Sequence, residues 1–198
     1  MTEASPAIRA HYSKVALKRV RAVPAGKGTA IREQLGDDIL RRVRAASSLD
    51  WLPLEVSLRV CDVIYEVLGE AGARVFWTEM MFDSYDHGML RPLTTMARTG
   101  DEGATGSVAL LSMAPRAFEQ STRGCGSLEL VAGEGADVRL SSVDLHPEIT
   151  RSRGFHCLFY GACTAMLQQF RSPGTVEVLR DGDRLTYKVR LTESPPAS

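Results

Sequence analysis

Between Arg151 and Pro173 the chain carries its most demanding pattern: Phe155, Leu158, Phe159, Ala162, Cys163, Met166, Leu167 and Phe170 recur at steps of three and four residues. That spacing gathers the apolar side chains on one wide helical face, which has to be covered. The flanking segments supply the cover. Upstream, Leu128 and Leu130 alternate with Ser127 and Glu129, Gly133-Glu134-Gly135 suits a tight turn, and Val138 and Leu140 resume the alternation. Downstream, Val176 and Val178 lead into Arg180-Asp181-Gly182-Asp183, whose Asp-Gly pair favours a type I′ turn. Leu185, Tyr187, Val189 and Leu191 then alternate again. Two hairpins around one helix predict a β-β-α-β-β unit, a four-stranded antiparallel sheet with the helix on its apolar face. Pro173-Gly174 ends the helix.

The rest of the chain reads as a helical layer that precedes this unit, giving an α+β fold. Tyr12 to Val23 fits either an edge strand or a short helix. From Lys27 to Ala46 the residues Ile31, Leu35, Ile39, Leu40 and Val43 imply two short helices, divided at Gly36-Asp37-Asp38, where an aspartate can cap the second. After Trp51, Pro53 suits a helix start, and Leu54, Leu58, Cys61, Ile64, Tyr65 and Leu68 form a stripe that Gly69 stops. A further helix runs from Val75 through Phe76, Met80, Phe82 and Tyr85 towards Leu90, apolar on more than one face and therefore central. The glycine-rich stretch Gly100 to Gly106 predicts a loop, and Pro115 is expected to kink or restart a helix between Val108 and Phe118. One domain is expected over 12–191, with residues 1–11 and 192–198 disordered.

Composition narrows function mainly by exclusion. With 24 basic and 24 acidic residues in 198, no net field draws the chain to nucleic acid or anionic lipid. The local basic residues Lys14, Lys18, Arg19, Arg21, Arg41, Arg42 and Arg44 are dispersed among apolar ones and read as a solvated face. No run of about 18 apolar residues occurs, and Met1 to Ala10 lacks the basic-then-apolar pattern of an export signal. Cys61, Cys125, Cys157 and Cys163 form no CxxC pair and no framework, which fits buried free thiols in a cytoplasmic protein.

Three segments carry a resemblance: Trp51-Leu52-Pro53-Leu54-Glu55, Cys157 to Gln168, and Val176-Glu177-Val178. Together with the helices-then-β-β-α-β-β order, they resemble an uncharacterised paralogous family of myxobacteria. That family is related to TRAPP-type transport subunits, the vinyl-reductase small-molecule-binding domain and the haem nitric oxide/oxygen-binding domain. The resemblance implies ligand binding or scaffolding over about residues 12 to 191. Haem-binding members need an axial histidine on the helix before the first hairpin and a Tyr-x-Ser-x-Arg motif. Here Val108 to Thr122 holds no histidine, and the corresponding stretch reads Glu148-Ile149-Thr150-Arg151-Ser152-Arg153. The cysteine-rich metal cluster of vinyl-reductase-type domains has no counterpart after Cys163, so neither haem nor zinc, and no other cofactor, is expected.

Candidate site residues fall into three groups. Met80, Met81, Tyr85, Met113, Phe159 and Met166 are candidates to line an apolar pocket; Met89 and Met96 share the same region, and flexible thioethers adapt to a ligand as readily as they fill a core. Asp83, Asp86 and His87 form a polar group, with Glu79 and Asp83, and Asp83 and His87, one turn apart. It reads as an exposed acidic face, or else as a general-base pair or half of a divalent-metal site. Arg151, Arg153 and His156 stand at the start of the last helix, as solvated cations or as an anion contact. No Gly-x-Ser-x-Gly, P-loop, Rossmann fingerprint or HExxH motif is present.

The leading expectation is a non-enzymatic sensory or regulatory module with a small, mostly apolar ligand held between helices and sheet. A protein-interaction scaffold, homodimeric or paired with a related subunit through an exposed helix Trp51 to Leu68, is the second. Metal-assisted catalysis at Asp83, Asp86 and His87 is the third.

Overall fold

The computed structural model describes residues 5–87, 90–98, 104–132, 137–182 and 184–191. Two sheets and a helical layer share one core. β1 (Ala7–Arg9) leads directly into α1 (Ala10–Arg19), a 3-10 turn follows at Val20–Ala22, and α2 spans Ala25–Ala45. β2 (Trp51–Pro53) then opens α3 (Leu54–His87), and α4 (Arg91–Arg98), α5 (Ala104–Ser112) and α6 (Ala114–Ser121) complete the layer. β3 (Thr122–Arg123) joins β1 and β2 in a small antiparallel sheet of order β2-β1-β3. The remainder is the β-β-α-β-β unit: β4 (Ser127–Ala132), β5 (Asp137–Val143), the short α7 (Pro147–Arg151), α8 (Arg153–Gln169), β6 (Gly174–Asp181) and β7 (Arg184–Leu191). Its antiparallel sheet has the order β4-β5-β7-β6.

Register explains why one face of this larger sheet is buried. Leu140 pairs with Tyr187 and Val138 with Val189 across β5 and β7, while Val176 and Val178 face Val189 and Tyr187 across β7 and β6. Directly opposed residues share a face, so these side chains form one apolar surface. Helix α8 lies against it, but the sheet is only one of its partners. Its other flank packs against α3, so closely that glycine is required. A Cβ at Gly154 would fall on the Cys61 backbone carbonyl, and one at Gly161 would sit 2.6 Å from the Thr78 nitrogen and 2.7 Å from the Trp77 carbonyl carbon. Asp62 of α3 fastens the start of α8, its Oδ1 accepting from Ser152 Oγ at 2.7 Å and from the Gly154 amide at 3.0 Å. Ser152 in turn caps α8, its Oγ accepting from the Phe155 amide at 3.0 Å.

Several expectations change. The chain is ordered from well before residue 12: Ala7 and Ile8 are buried in β1, and Trp51 of β2 carries the Arg9 guanidinium over its ring at 3.7 Å and that of Arg123 at 5.2 Å. The first four residues and 192–198 lie outside the described residues. Tyr12 to Ala22 is helical, which settles the choice between strand and helix. The two helical stripes on either side of Gly69 are one element with a break: Gly69 takes φ +71° and ψ 172°, a conformation that essentially only glycine tolerates, and Gly36 divides α2 in the same way. Val75, expected at the head of an apolar stripe, is 58% exposed. Ala104 to Gly106, expected in a loop, belong to α5. Of the proposed docking helix, Trp51 to Leu68, one face is core: Leu54, Val56, Val60, Val63 and Ile64 are almost fully buried, while Glu55, Arg59 and Glu66 are exposed.

The basic residues of the N-terminal helices serve the fold. Lys14 Nζ donates to the carbonyls of Arg44 and Ala46, at 3.0 and 2.5 Å, closing the end of α2. No helix among the described residues is long and apolar enough to cross a membrane.

The helix contact gives a direct test. Gly161→Ala is expected to lower the unfolding free energy in urea by about 2 to 3 kcal/mol, because the backbone of α3 cannot yield to a methyl group. Gly26→Ala, in open space in the first turn of α2, is expected to stabilise by up to about 1 kcal/mol.

Candidate functional site

α8 presents Phe155, Phe159, Cys163 and Met166 towards a cavity of about 80 Å³ enclosed by β1, α1, α3, α6 and β5. α3 contributes Ser57, Cys61, Trp77, Met81 and Tyr85; α6 contributes Ala114, Ala117, Phe118 and Ser121; β5 contributes Leu140. The lining is almost wholly apolar and, among the described residues, carries no Asp, Glu, Lys, Arg or His. Phe159 is its aromatic centre, with ring centroids 4.7 Å from Tyr187, 6.0 Å from Phe118 and 6.1 Å from Phe155. At the α1 side, Tyr12 and Ser121 hydroxyls share a hydrogen bond of 2.9 Å.

Polar atoms in this setting are few, and two are unpaired. Two residues of the lining each have a buried polar atom without a hydrogen-bond partner, Ser57 Oγ and Trp77 Nε1. Leaving a buried donor unpaired costs about 1 to 3 kcal/mol, so two on one wall call for an explanation. The hydroxyl of Tyr187, behind Phe159, is likewise buried and unpaired.

Of the residues expected to line a pocket, Met81, Tyr85, Phe159 and Met166 are brought together here. Met80 is buried but faces away from the cavity, and Met113 is half-buried at the α5–α6 junction, also outside it. Met96 is 61% exposed, and Met89 lies outside the described residues. Sequence reasoning missed Tyr12, because its segment fitted strand and helix alike, and missed Ser57, Trp77 and Phe118, which belong to none of the stripes or motifs singled out. The one available signal was Trp77, whose indole N–H needs a partner wherever it is buried.

Of the polar group, Asp83 is engaged in an ion pair. Asp83 Oδ2 accepts from Arg19 at 2.8 Å, and Arg19 also binds Glu79, so these carboxylates tie α3 to α1. His87 belongs to α3 by its backbone, and its side chain lies outside the described residues. No group of three potential metal-binding side chains occurs among the described residues. Arg153 and His156 do line a common cleft, of about 240 Å³ beside α3, whereas Arg151 is exposed and outside it. All four cysteines are free and buried. Burial pushes the Cys163 thiol up to about 12 and raises that of Cys61 well above the ordinary range, so both stay protonated and poorly nucleophilic.

No protein-family model matches the chain, and no curated protein matches it. Solved structures do. A Cs H-NOX variant carrying 4-cyano-L-phenylalanine is 14% identical with a TM-score of 0.62, over 94% of this chain and 97% of that one. An Fe(II) unliganded H-NOX mutant from K. algicida is 8% identical, with a TM-score of 0.62 over the same shares. An oxygen-binding H-NOX domain related to soluble guanylate cyclases is 15% identical, with a TM-score of 0.60, over 94% of this chain and 96% of that one. The chain has the fold of the H-NOX domains. Likeness at this identity speaks for fold alone.

H-NOX domains imply haem, and the residues here do not fit it. The helix pair α5–α6 offers the cavity only Ala114, Ala117, Phe118 and Ser121, with no axial ligand. The thiols of Cys61 and Cys163 and the phenol of Tyr85 are held protonated by burial, and no cation lines the cavity to pair with propionates. A volume of about 80 Å³ also falls well short of the roughly 300 Å³ at which pockets for larger ligands begin.

Two histidines outside the cavity generate a pH test. Burial lowers the pKa of His11 and, as the largest of several influences, that of His156 below the ordinary 6.5. The unfolded chain therefore takes up protons near pH 6.5 that the folded chain binds only at lower pH. Stability accordingly falls as pH drops from 6.5 through the depressed folded values. Thermal melts between about pH 7 and about pH 5 are expected to show this fall, with a shallower slope when His11→Gln and His156→Gln are combined.

Proposed function

We propose that this domain is a non-enzymatic sensory or regulatory module, acting in the cytoplasm, that holds a small, mostly apolar ligand in the cavity between its helices and its sheet. The observation that carries this reading is the composition of the cavity wall: apolar and, among the described residues, uncharged, with Ser57 Oγ and Trp77 Nε1 left unpaired. An apolar molecule with one hydrogen-bonding group satisfies both features of that wall. At about 80 Å³ the cavity suits a ligand of a few heavy atoms.

Two resemblances support the reading. A neighbour of the same fold is described as an oxygen-binding domain in its oxygen complex. The sequence also resembles the myxobacterial relatives of small-molecule-binding domains. The chemistry of the wall points away from catalysis: it offers no general base beside Ser57, and the nearby thiols are neutral.

The cavity contains its own reporter. Trp51→Phe leaves Trp77 as the sole tryptophan of the chain. Its fluorescence is expected to change saturably when benzene is added, and native mass spectrometry of freshly purified protein is expected to find a bound small molecule. Ala162→Met, which fills the cavity, is expected to abolish the benzene response with the circular dichroism spectrum unchanged. A Trp77 signal indifferent to benzene, together with ligand-free mass spectra, would overturn the proposal.

A further inference from the structure

On the opposite flank of α8 from the cavity lies a cleft of about 240 Å³, and its chemistry is the reverse. Three guanidinium groups from three separate elements line it: Arg74 of α3, Arg153 of α8 and Arg180 of β6. Among the described residues Glu70 is the one carboxylate in its wall, against three guanidinium groups, an excess of two positive charges. The apolar part of the wall is Val178 and Leu185 of the sheet.

The arginines are held in place rather than free to splay apart. Arg74 Nη2 pairs with Glu70 Oε1 at 2.6 Å, and its guanidinium stacks over the Tyr160 ring at 4.4 Å. Arg153 Nη1 donates to Tyr65 Oη at 3.3 Å, and Arg180 Nε donates to the Gly182 carbonyl at 3.1 Å. His156 lines the same cleft and has a buried Nε2 without a partner. The nearest carboxylate of the helix junction, Asp62, is engaged by Ser152 and the Gly154 amide. Like charges gathered from distant parts of the sequence repel one another unless something neutralises them, and planar guanidinium groups match the oxygens of a phosphate.

We propose that this cleft is a binding site for a phosphate monoester, with the dianion held by Arg74, Arg153 and Arg180 and the organic part against Val178 and Leu185. The charge excess of two matches a phosphate dianion, and the apolar wall distinguishes an ester from the free ion. The site is independent of the apolar cavity.

Isothermal titration calorimetry in phosphate-free buffer tests it, with phenyl phosphate and inorganic phosphate as probes. Phenyl phosphate is expected to bind, and more tightly than inorganic phosphate. Arg153→Gln and Arg180→Gln are each expected to weaken it about tenfold or more, since each removes a charge-assisted contact. Arg151→Gln, an exposed neighbour outside the cleft, is expected to leave the affinity within about twofold. The absence of any binding heat from the unsubstituted protein would overturn the site. So would a loss in Arg151→Gln equal to that in Arg153→Gln, which would mark diffuse surface attraction, and inorganic phosphate binding as tightly as phenyl phosphate would overturn the monoester. Arg180 is exposed near the tip of a hairpin, so its replacement reports on the site with the fold intact. The benzene response of Trp77 is expected to persist in all three variants, so failure here leaves the cavity reading untouched.

Discussion

The contact on which this structure depends is the approach of α8 to the backbone of α3. Gly154 and Gly161, seven residues apart and so on one helical face, let the two helices meet with no side chain between them. Asp62 and the Ser152 cap then fix where along α3 the second helix begins. Close backbone approach gains dispersion contacts along the whole line of meeting, and it also removes freedom, since neither helix can shift without a clash. Everything α8 presents on its remaining faces is thereby positioned from α3.

From that constraint the two unlike sites follow. One flank of α8, with Phe155, Phe159, Cys163 and Met166, faces the cavity; the other, with Arg153, His156 and Cys157, faces the cleft beside Arg74. The segregation of apolar and basic residues around a single helix is what keeps charge out of the cavity. It also explains why an H-NOX fold occurs here without the means to hold haem: the fold requires the packing of α8 on α3 and the sheet, whereas haem requires particular residues on α5, α6 and the segment before α8.

The periodicities that were legible are those with one dominant partner. Alternation in β4 to β7 and the stripe of α8 gave the larger sheet and its helix, because each pattern reports burial on one side. The partner of α8 on its second side was not read, although Gly154 and Gly161 marked it; small residues leave no hydrophobic signature, and their meaning emerges only once the facing backbone is known. Ala7 to Arg9 was missed for a related reason. A three-residue strand has no period, and its order comes from Trp51 and Arg123, brought near from far along the chain. Within the site, Met81, Tyr85, Phe159 and Met166 followed from helical spacing, while Ser57 and Trp77 owe their interest to what they lack, an unmade hydrogen bond that only the packed structure reveals. The exposed acidic face of α3 was legible, but not its partner Arg19, which lies 60 residues or more away in sequence.

The walls of the cavity are unequal in stiffness, and this bounds what it can accept. The α3 and α8 backbones cannot part without breaking the glycine contacts and the Asp62 cap, and the sheet is tied by its ladder from β4 to β6. Compliance has to come from side chains and from α6. Met81 and Met166 have the rotatable thioether chains that reshape at small cost, and α6 is a short helix of Ala114–Ser121 held to α1 through the Tyr12 and Ser121 hydroxyls. The α6 side is therefore where this cavity has room to adapt.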